Sequence, residues 1–238
     1  MRKFYMTMKL VEKLKQQWQT LVFAYRFMQM VKAPDGDMSS VGRLAKASDD
    51  AYSLKLVVEF LSRYPQGRQA FQERPRLGKV DLQQLHKLPE NTLGYLYADH
   101  MIKNSLTPLQ AGNADNDHAY LAAHITETHD IWHIVTGCDI NITGEIQLEA
   151  FYMTQLYASR FWIALLAKNL LKAALFNVEV SGQYLDALSK GWMMGLQARP
   201  LFGIQWNTLW ETPLEDIRAS LNISSHIGQQ SMLKDTVV

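Results

Sequence analysis

Apolar residues recur at three- and four-residue steps through much of this chain, while alternating β-branched runs and Asn-Gly hairpin signals are nearly absent. That spacing gathers apolar side chains on one face of a helix and predicts an all-α fold. Residues 9–32 show it first, with Leu10, Leu14, Trp18, Leu21, Val22 and Tyr25 in step, and the Pro34-Asp35-Gly36-Asp37 cluster ends the run. A second helix is expected over about 49–63, with Leu56, Val57, Phe60 and Leu61 inward and Pro65 closing it. Residues 66–92 carry Pro75, Gly78 and Pro89 and read as loops and short helices, one of them capped by Asp81. Helical spacing returns over 92–103, gives way to a loop at 107–117, and resumes from Asn116 or Asp117 to Thr136-Gly137. A long apolar helix is expected from about Gly144 to Phe176. Past Ser181-Gly182 another runs through Trp192 to Ala198, and Thr212-Pro213 opens a last short one.

Nearly half of the 238 residues are hydrophobic (47%), enough for a sizeable core, and neither an internal repeat nor a long linker divides the chain. The expected organisation is one helical domain over 35–222, preceded by a basic amphipathic segment over 1–34 and followed by a polar, fraying tail over 223–238. Lys and Arg number 24 against 23 Asp and Glu, so no global charge draws the protein to nucleic acid. The single cysteine, Cys138, rules out an intramolecular disulfide and a zinc site of several thiolates, and reads as a small buried thiol in a reducing, intracellular setting. The opening residues lack the pattern of a secretory signal. The most apolar later stretch, 161–167, is far shorter than the roughly 20 residues that cross a bilayer. A soluble or peripherally membrane-associated protein is expected. The first 34 residues hold seven Lys and Arg against Glu12 alone, interleaved with Phe4, Tyr5, Trp18 and Phe23. Such a helix suits an anionic bilayer surface, and equally a solvated face packed on the domain.

The informative stretch is Thr126-Glu127-Thr128-His129-Asp130-Ile131-Trp132-His133. On a helix His129 and His133 stand one turn apart and point the same way, with Asp130 roughly 100° from His129 and about 60° from His133. Gly137 and a short turn let the chain reverse, so Glu145 falls in the first turn of the returning helix and can face His133. Two imidazoles and two carboxylates then meet at one point. Imidazole suits zinc and other transition metals, and carboxylate also suits magnesium and manganese. The plainer alternative is an ordinary hydrogen-bonded His–Asp pair. Apolar Ile131, Trp132, Ile134 and Val135 imply partial burial, where unpaired charge is costly and a divalent cation would resolve the cost. The pattern is also similar to the zinc-protease helix His-Glu-x-x-His, with Asp130 in place of the general base, which keeps a metal-dependent hydrolase as a lesser alternative. His124 lies near enough to join the site, but a hydrogen-bonded core role suits it better.

His129-Asp130-x-x-His133 followed eleven residues later by Glu145 resembles the signature of the coenzyme Q biosynthesis protein four family. The resemblance extends over about residues 70–222, through Leu88-Pro89-Glu90-Asn91-Thr92-Leu93-Gly94, Gly191-Trp192-Met193-Met194-Gly195 with Ala198-Arg199-Pro200-Leu201, and Trp210-Glu211-Thr212-Pro213-Leu214. It implies an all-α fold and a divalent metal, usually taken to be zinc, at His129, Asp130, His133 and Glu145. It also implies a place in ubiquinone biosynthesis at a peripheral membrane complex with other quinone-biosynthesis enzymes. Within that family two roles have been assigned: a scaffold presenting a prenylated intermediate, and an oxidative decarboxylase replacing a carboxylate by hydroxyl at ring carbon one. Zinc has no accessible redox change, so the oxidative role asks for iron, manganese or another redox partner.

Handling an isoprenoid tail calls for an internal apolar groove in the bundle. The expected lining is Leu148, Phe151, Tyr152, Met153, Leu156, Phe161, Trp162, Leu165 and Leu166, on the helix that begins with Glu145; for any one of them, plain core packing is the competing account. Gly191-x-x-x-Gly195 permits close helix contact and places a homodimer interface among the expectations.

Overall fold

The structure is a computed structural model that describes residues 2–34, 36–48 and 51–224. Among them lie eleven α-helices and no strand. These are α1 (Arg2–Lys32), α2 (Met38–Ser48), α3 (Ala51–Leu61), α4 (Pro65–Glu73), α5 (Leu82–Leu85), α6 (Leu93–Lys103), α7 (Asp117–Thr136), α8 (Ile142–Gln155), α9 (Arg160–Phe176), α10 (Ser181–Gln197) and α11 (Leu214–Leu221). The all-α expectation holds, and no described helix is long and apolar enough to cross a membrane.

Local chemistry sets many of the boundaries. The Asp81 carboxylate accepts from the Gln83 and Gln84 N–H groups at the start of α5, Thr92 from Tyr95 at α6, Asn116 from Ala119 at α7, and Asn141 from Gly144 at α8. Gly137 ends α7 in the left-handed conformation at φ 72°, where its N–H donates to the His133 carbonyl. That glycine supplies the reversal from α7 into α8.

Three elements depart from the sequence reading. Pro65 opens α4 from its first turn, a place where its missing N–H costs nothing, instead of merely closing α3. Residues 38–48 form α2, which no apolar period announced; Asp37 starts it by accepting from Ser39 and Ser40. The long helix expected over 144–176 is two helices. Between them Tyr157 sits at φ 74°, its ring 5.7 Å from that of Phe60 on α3, while Gln155 bonds the Gly195 carbonyl and the Leu201 N–H. From residue 225 on, the expected polar tail lies outside the described residues; Ile223, placed in that tail, is buried.

The core is centred on α7 and α8. Leu148, Phe151, Tyr152 and Leu156 are fully or almost fully buried, with Ile131 and Trp132 against them. α10 lies along the opposite side of α8 at very short range: a Cβ on Gly191 would overlap the Gln147 carbonyl, and one on Gly195 the Thr154 hydroxyl. The Gly191/Gly195 pair therefore serves a contact within the chain. α1 is anchored by Met30 and Val31, with Phe23 and Phe27 half-buried, whereas residues 11–20 are exposed all round.

Candidate metal centre

α7 presents His129 and His133 one turn apart, and α8 returns Glu145 to them across the Gly137 turn. Their donor atoms lie within 4.8 Å of one another. The His133 Nε2 stands 3.2 Å from the His129 Nε2 and 3.2 Å from the Glu145 Oε1. The two imidazole planes are nearly perpendicular, at 89°, so both ring edges aim at the shared space.

Outer partners fix which nitrogen faces inward. The Cys138 carbonyl, 2.9 Å from the His133 Nδ1, can only accept, so that nitrogen carries the proton. The His129 Nδ1 pairs with the Tyr152 hydroxyl at 3.1 Å. Tyr152 is in turn clamped between Trp132 and Trp162, each ring stacked at 4.7 Å. With both Nδ1 atoms held from outside, both Nε2 atoms point at the Glu145 carboxylate, as metal-binding histidines held by outer partners do.

Electrostatics describe the same corner. Burial first, then the charge of His133, lowers the pKa of His129. At His133 burial works against the charged form, but the Glu145 hydrogen bond and charge outweigh it and the pKa rises. Glu145 responds in the opposite direction: burial would raise its pKa, and His133 pulls it down. A neutral His133 with its proton on Nδ1 would turn a lone pair toward a carboxylate oxygen, two acceptors facing each other. Either a second proton or a shared cation relieves that conflict, and the donor set of two imidazole nitrogens and one carboxylate fits a divalent transition metal.

Asp130 does not join this group. Its carboxylate is outside the set of converging donor atoms, although its charge is felt at His129 and His133 as well as at Tyr97, His100 and Tyr152. The residues expected to line a groove are mostly interior: Leu148, Phe151, Tyr152, Leu156, Trp162, Leu165 and Leu166 are buried, and Met153 and Phe161 half-buried. All but Leu166 pack in the main core, Leu166 lying with Ile146 and Ala187 in a second cluster, and Tyr152 has the added task of holding His129. His124 is a core histidine whose Nε2 accepts from the Gly203 N–H at 3.2 Å. Burial pushes the Cys138 thiol up to about 12.

Several contributors escaped the sequence reading. Arg218 on α11 donates from Nε to the Val135 carbonyl and from Nη2 to that of Ile134, closing the end of α7. Glu127, buried on α7, receives the Arg76 guanidinium and the Leu77 N–H. Glu149, one turn after Glu145, accepts from Asn169, and burial pushes its carboxyl up to about 8. A buried acid on an apolar helix face was the available signal for Glu149; Arg218 lay too far along the chain to give one.

Fold and site together define a helical-bundle protein with a candidate divalent-cation centre at one helix reversal. The sequence profile of the coenzyme Q (ubiquinone) biosynthesis protein Coq4 family matches residues 8–226, and the chain belongs to that family. A mitochondrial ubiquinone biosynthesis protein of Scheffersomyces stipitis is 28% identical over 72% of this chain and 54% of its own length. A mitochondrial homolog from Aedes aegypti is 31% identical over 66% of this chain and 59% of its own length. The chain thus spans little more than half the length of these curated relatives. A crystal structure from Nostoc punctiforme, described there as a ubiquinone biosynthesis protein, superposes with a TM-score of 0.77 at 27% identity, covering 87% of this chain and 99% of that one.

Proposed function

We propose that this chain binds a prenylated ring intermediate of ubiquinone biosynthesis, with the polar head of that lipid at a divalent cation held by His129, His133 and Glu145. The observation that carries the reading is the convergence of two inward Nε2 atoms and one carboxylate oxygen, each histidine braced on its other nitrogen. Asp130 borders the same corner, its charge felt at both imidazoles, and is the candidate for a fourth ligand. The cation supplies a positive charge that anchors a carboxylate or phosphate on the lipid head. The protein's residues orient it: Tyr152 and the Cys138 carbonyl hold the two rings, and Glu145 closes the third side. Presentation of the lipid to other quinone-biosynthesis enzymes is the role that follows. α1 brings the chain to an anionic membrane surface through its basic residues and the exposed Leu14, Trp18, Leu21 and Tyr25.

A second reading draws on the donor set itself. With Asp130 outside, the converging groups are two histidines and one carboxylate, the combination that binds non-haem iron with open positions. Iron there would fit the oxidative replacement of a ring carboxylate by hydroxyl, whereas zinc would fit anchoring alone.

The full chain, purified without chelators, is expected to carry close to one equivalent of a transition metal, to yield an isoprenoid lipid on solvent extraction and to pellet with anionic vesicles. His133→Ala should lose the metal while keeping its helical circular dichroism. A metal-free, lipid-free wild type that stays so after metal reconstitution would end the proposal, and turnover on iron but not zinc would select the oxidative reading.

A further inference from the structure

α1 carries two apolar rows. Phe23, Phe27, Met30 and Val31 seat its C-terminal half on the domain, where α2 and α9 lie against it. The other row is Val11, Leu14, Trp18, Leu21, Tyr25 and Met28, each between 42% and 67% exposed. Its steps alternate between three and four residues, the a and d positions of a heptad. That alternation keeps a row turned toward one partner helix as the two wind around each other. From Val11 to Met28 the row extends about 26 Å at the helical rise per residue. A bilayer surface asks for apolar breadth and sets no such alternation.

The row also fits itself. Turned antiparallel against a second copy, Val11 of one chain falls beside Met28 of the other, Leu14 beside Tyr25, and Trp18 beside Leu21. Each layer then joins a larger side chain to a smaller one. A parallel pair would set Trp18 on Trp18 and Tyr25 on Tyr25, overfilling a positions that suit branched aliphatic residues. The flanking positions are Lys15, Gln17, Val22 and Ala24. In the antiparallel pair Lys15, the one charge among them, meets Val22, so no like charges are forced together. The same patch on both copies is the form that a two-fold contact takes. Fully covered, the two rows remove on the order of 1,000 Å2 of surface, the size at which an interface becomes specific.

We infer that α1 of a second copy covers this row in solution, in an antiparallel two-helix coiled coil that makes the protein a homodimer. The inference goes beyond the preceding reading, which gives the same side chains to an anionic membrane, and in one respect it rests on that reading. The two occupants exclude each other, so the dimer is the form of the chain away from the bilayer.

The test uses the full chain in detergent-free buffer, followed by sedimentation velocity over a concentration series. The expected species has twice the mass of one chain. Leu21→Glu puts a carboxylate into the central layer and should return the monomer with unchanged helical circular dichroism, because Leu21 faces solvent in the single chain. Val11→Cys and Met28→Cys chains, mixed and oxidised, should cross-link to each other and neither to itself; Cys138 is buried and stays out. Vesicles of phosphatidylserine and phosphatidylcholine added before oxidation should suppress that cross-link. A monomer at every concentration overturns the inference, as does a dimer that survives Leu21→Glu or a cross-link joining like positions. A cross-link undiminished by vesicles that the chain has bound overturns the exclusion. A monomer that carries metal and isoprenoid and pellets with the vesicles removes this inference alone. A dimer that never binds metal, isoprenoid or vesicles removes the preceding reading and leaves the coiled coil.

Discussion

α8 meets its two neighbours in opposite ways. Toward α10 the backbones nearly touch, because Gly191 and Gly195 place nothing between them and the Gln147 and Phe151 turns. Toward α7 the backbones stay further apart, and His129, His133, Glu145 and Tyr152 fill the interval. Backbone-to-backbone packing leaves no volume for a ligand and tolerates no added atom. Spacing set by long polar side chains leaves donor atoms that can turn inward. One helix thus carries a sealed seam on one side and a site on the other.

The contrast can be broken most forcefully at Gly191. Gly191→Ala drives a methyl into the Gln147 carbonyl and should cost about 3 kcal/mol, read as a lowered urea midpoint. A loss under about 1 kcal/mol would mean that the seam yields easily and that its closeness carries little stability. On the other side, Tyr152→Phe removes the hydroxyl that holds the His129 Nδ1 while keeping the aromatic stack. Metal affinity, measured by competition with a chelating dye, should fall between about 10- and 100-fold with little change in melting. Unchanged affinity would reduce Tyr152 to packing.

Glu149 sharpens the comparison from a third direction, facing Asn169 on α9. Its carboxyl titrates near the ordinary value of 4.5 when unfolded and is pushed up to about 8 by burial in the fold. Between those values the folded chain holds a proton that the unfolded chain has released, so stability falls as pH rises through that window. Glu149→Gln keeps the acceptor and removes the acid. It should gain up to about 4 kcal/mol at pH 8 and little at pH 4, by denaturant titration at both. Equal gains at the two pH values would show that the carboxyl is ionised in the fold.

Much of this was readable along the chain. Each histidine-bearing turn of α7 followed from i,i+4 spacing, and Gly137 with the short turn after it marked the reversal that returns Glu145. The break after Gln155 was hidden because Tyr157 takes a left-handed conformation that bulky residues seldom adopt, and neither Gly nor Pro announces it. Periodicity selected the apolar residues of α8 and α9 correctly as an inward face, but it cannot say whether such a face lines a groove or meets another helix. Asp130 shows the same limit at the site: sharing a helix face with His133 is a matter of angle, and joining its donor atom also requires reach.

Arg218 adds a constraint in time. The guanidinium that ties off the Ile134 and Val135 carbonyls comes from α11, the last helix described, about eighty positions after the turn it secures. A chain still being synthesised has already released His129, His133 and Glu145 while that fastening is missing. A truncation that spares every candidate ligand but ends before α11 would likewise leave the histidine helix unfastened at the end nearest the reversal.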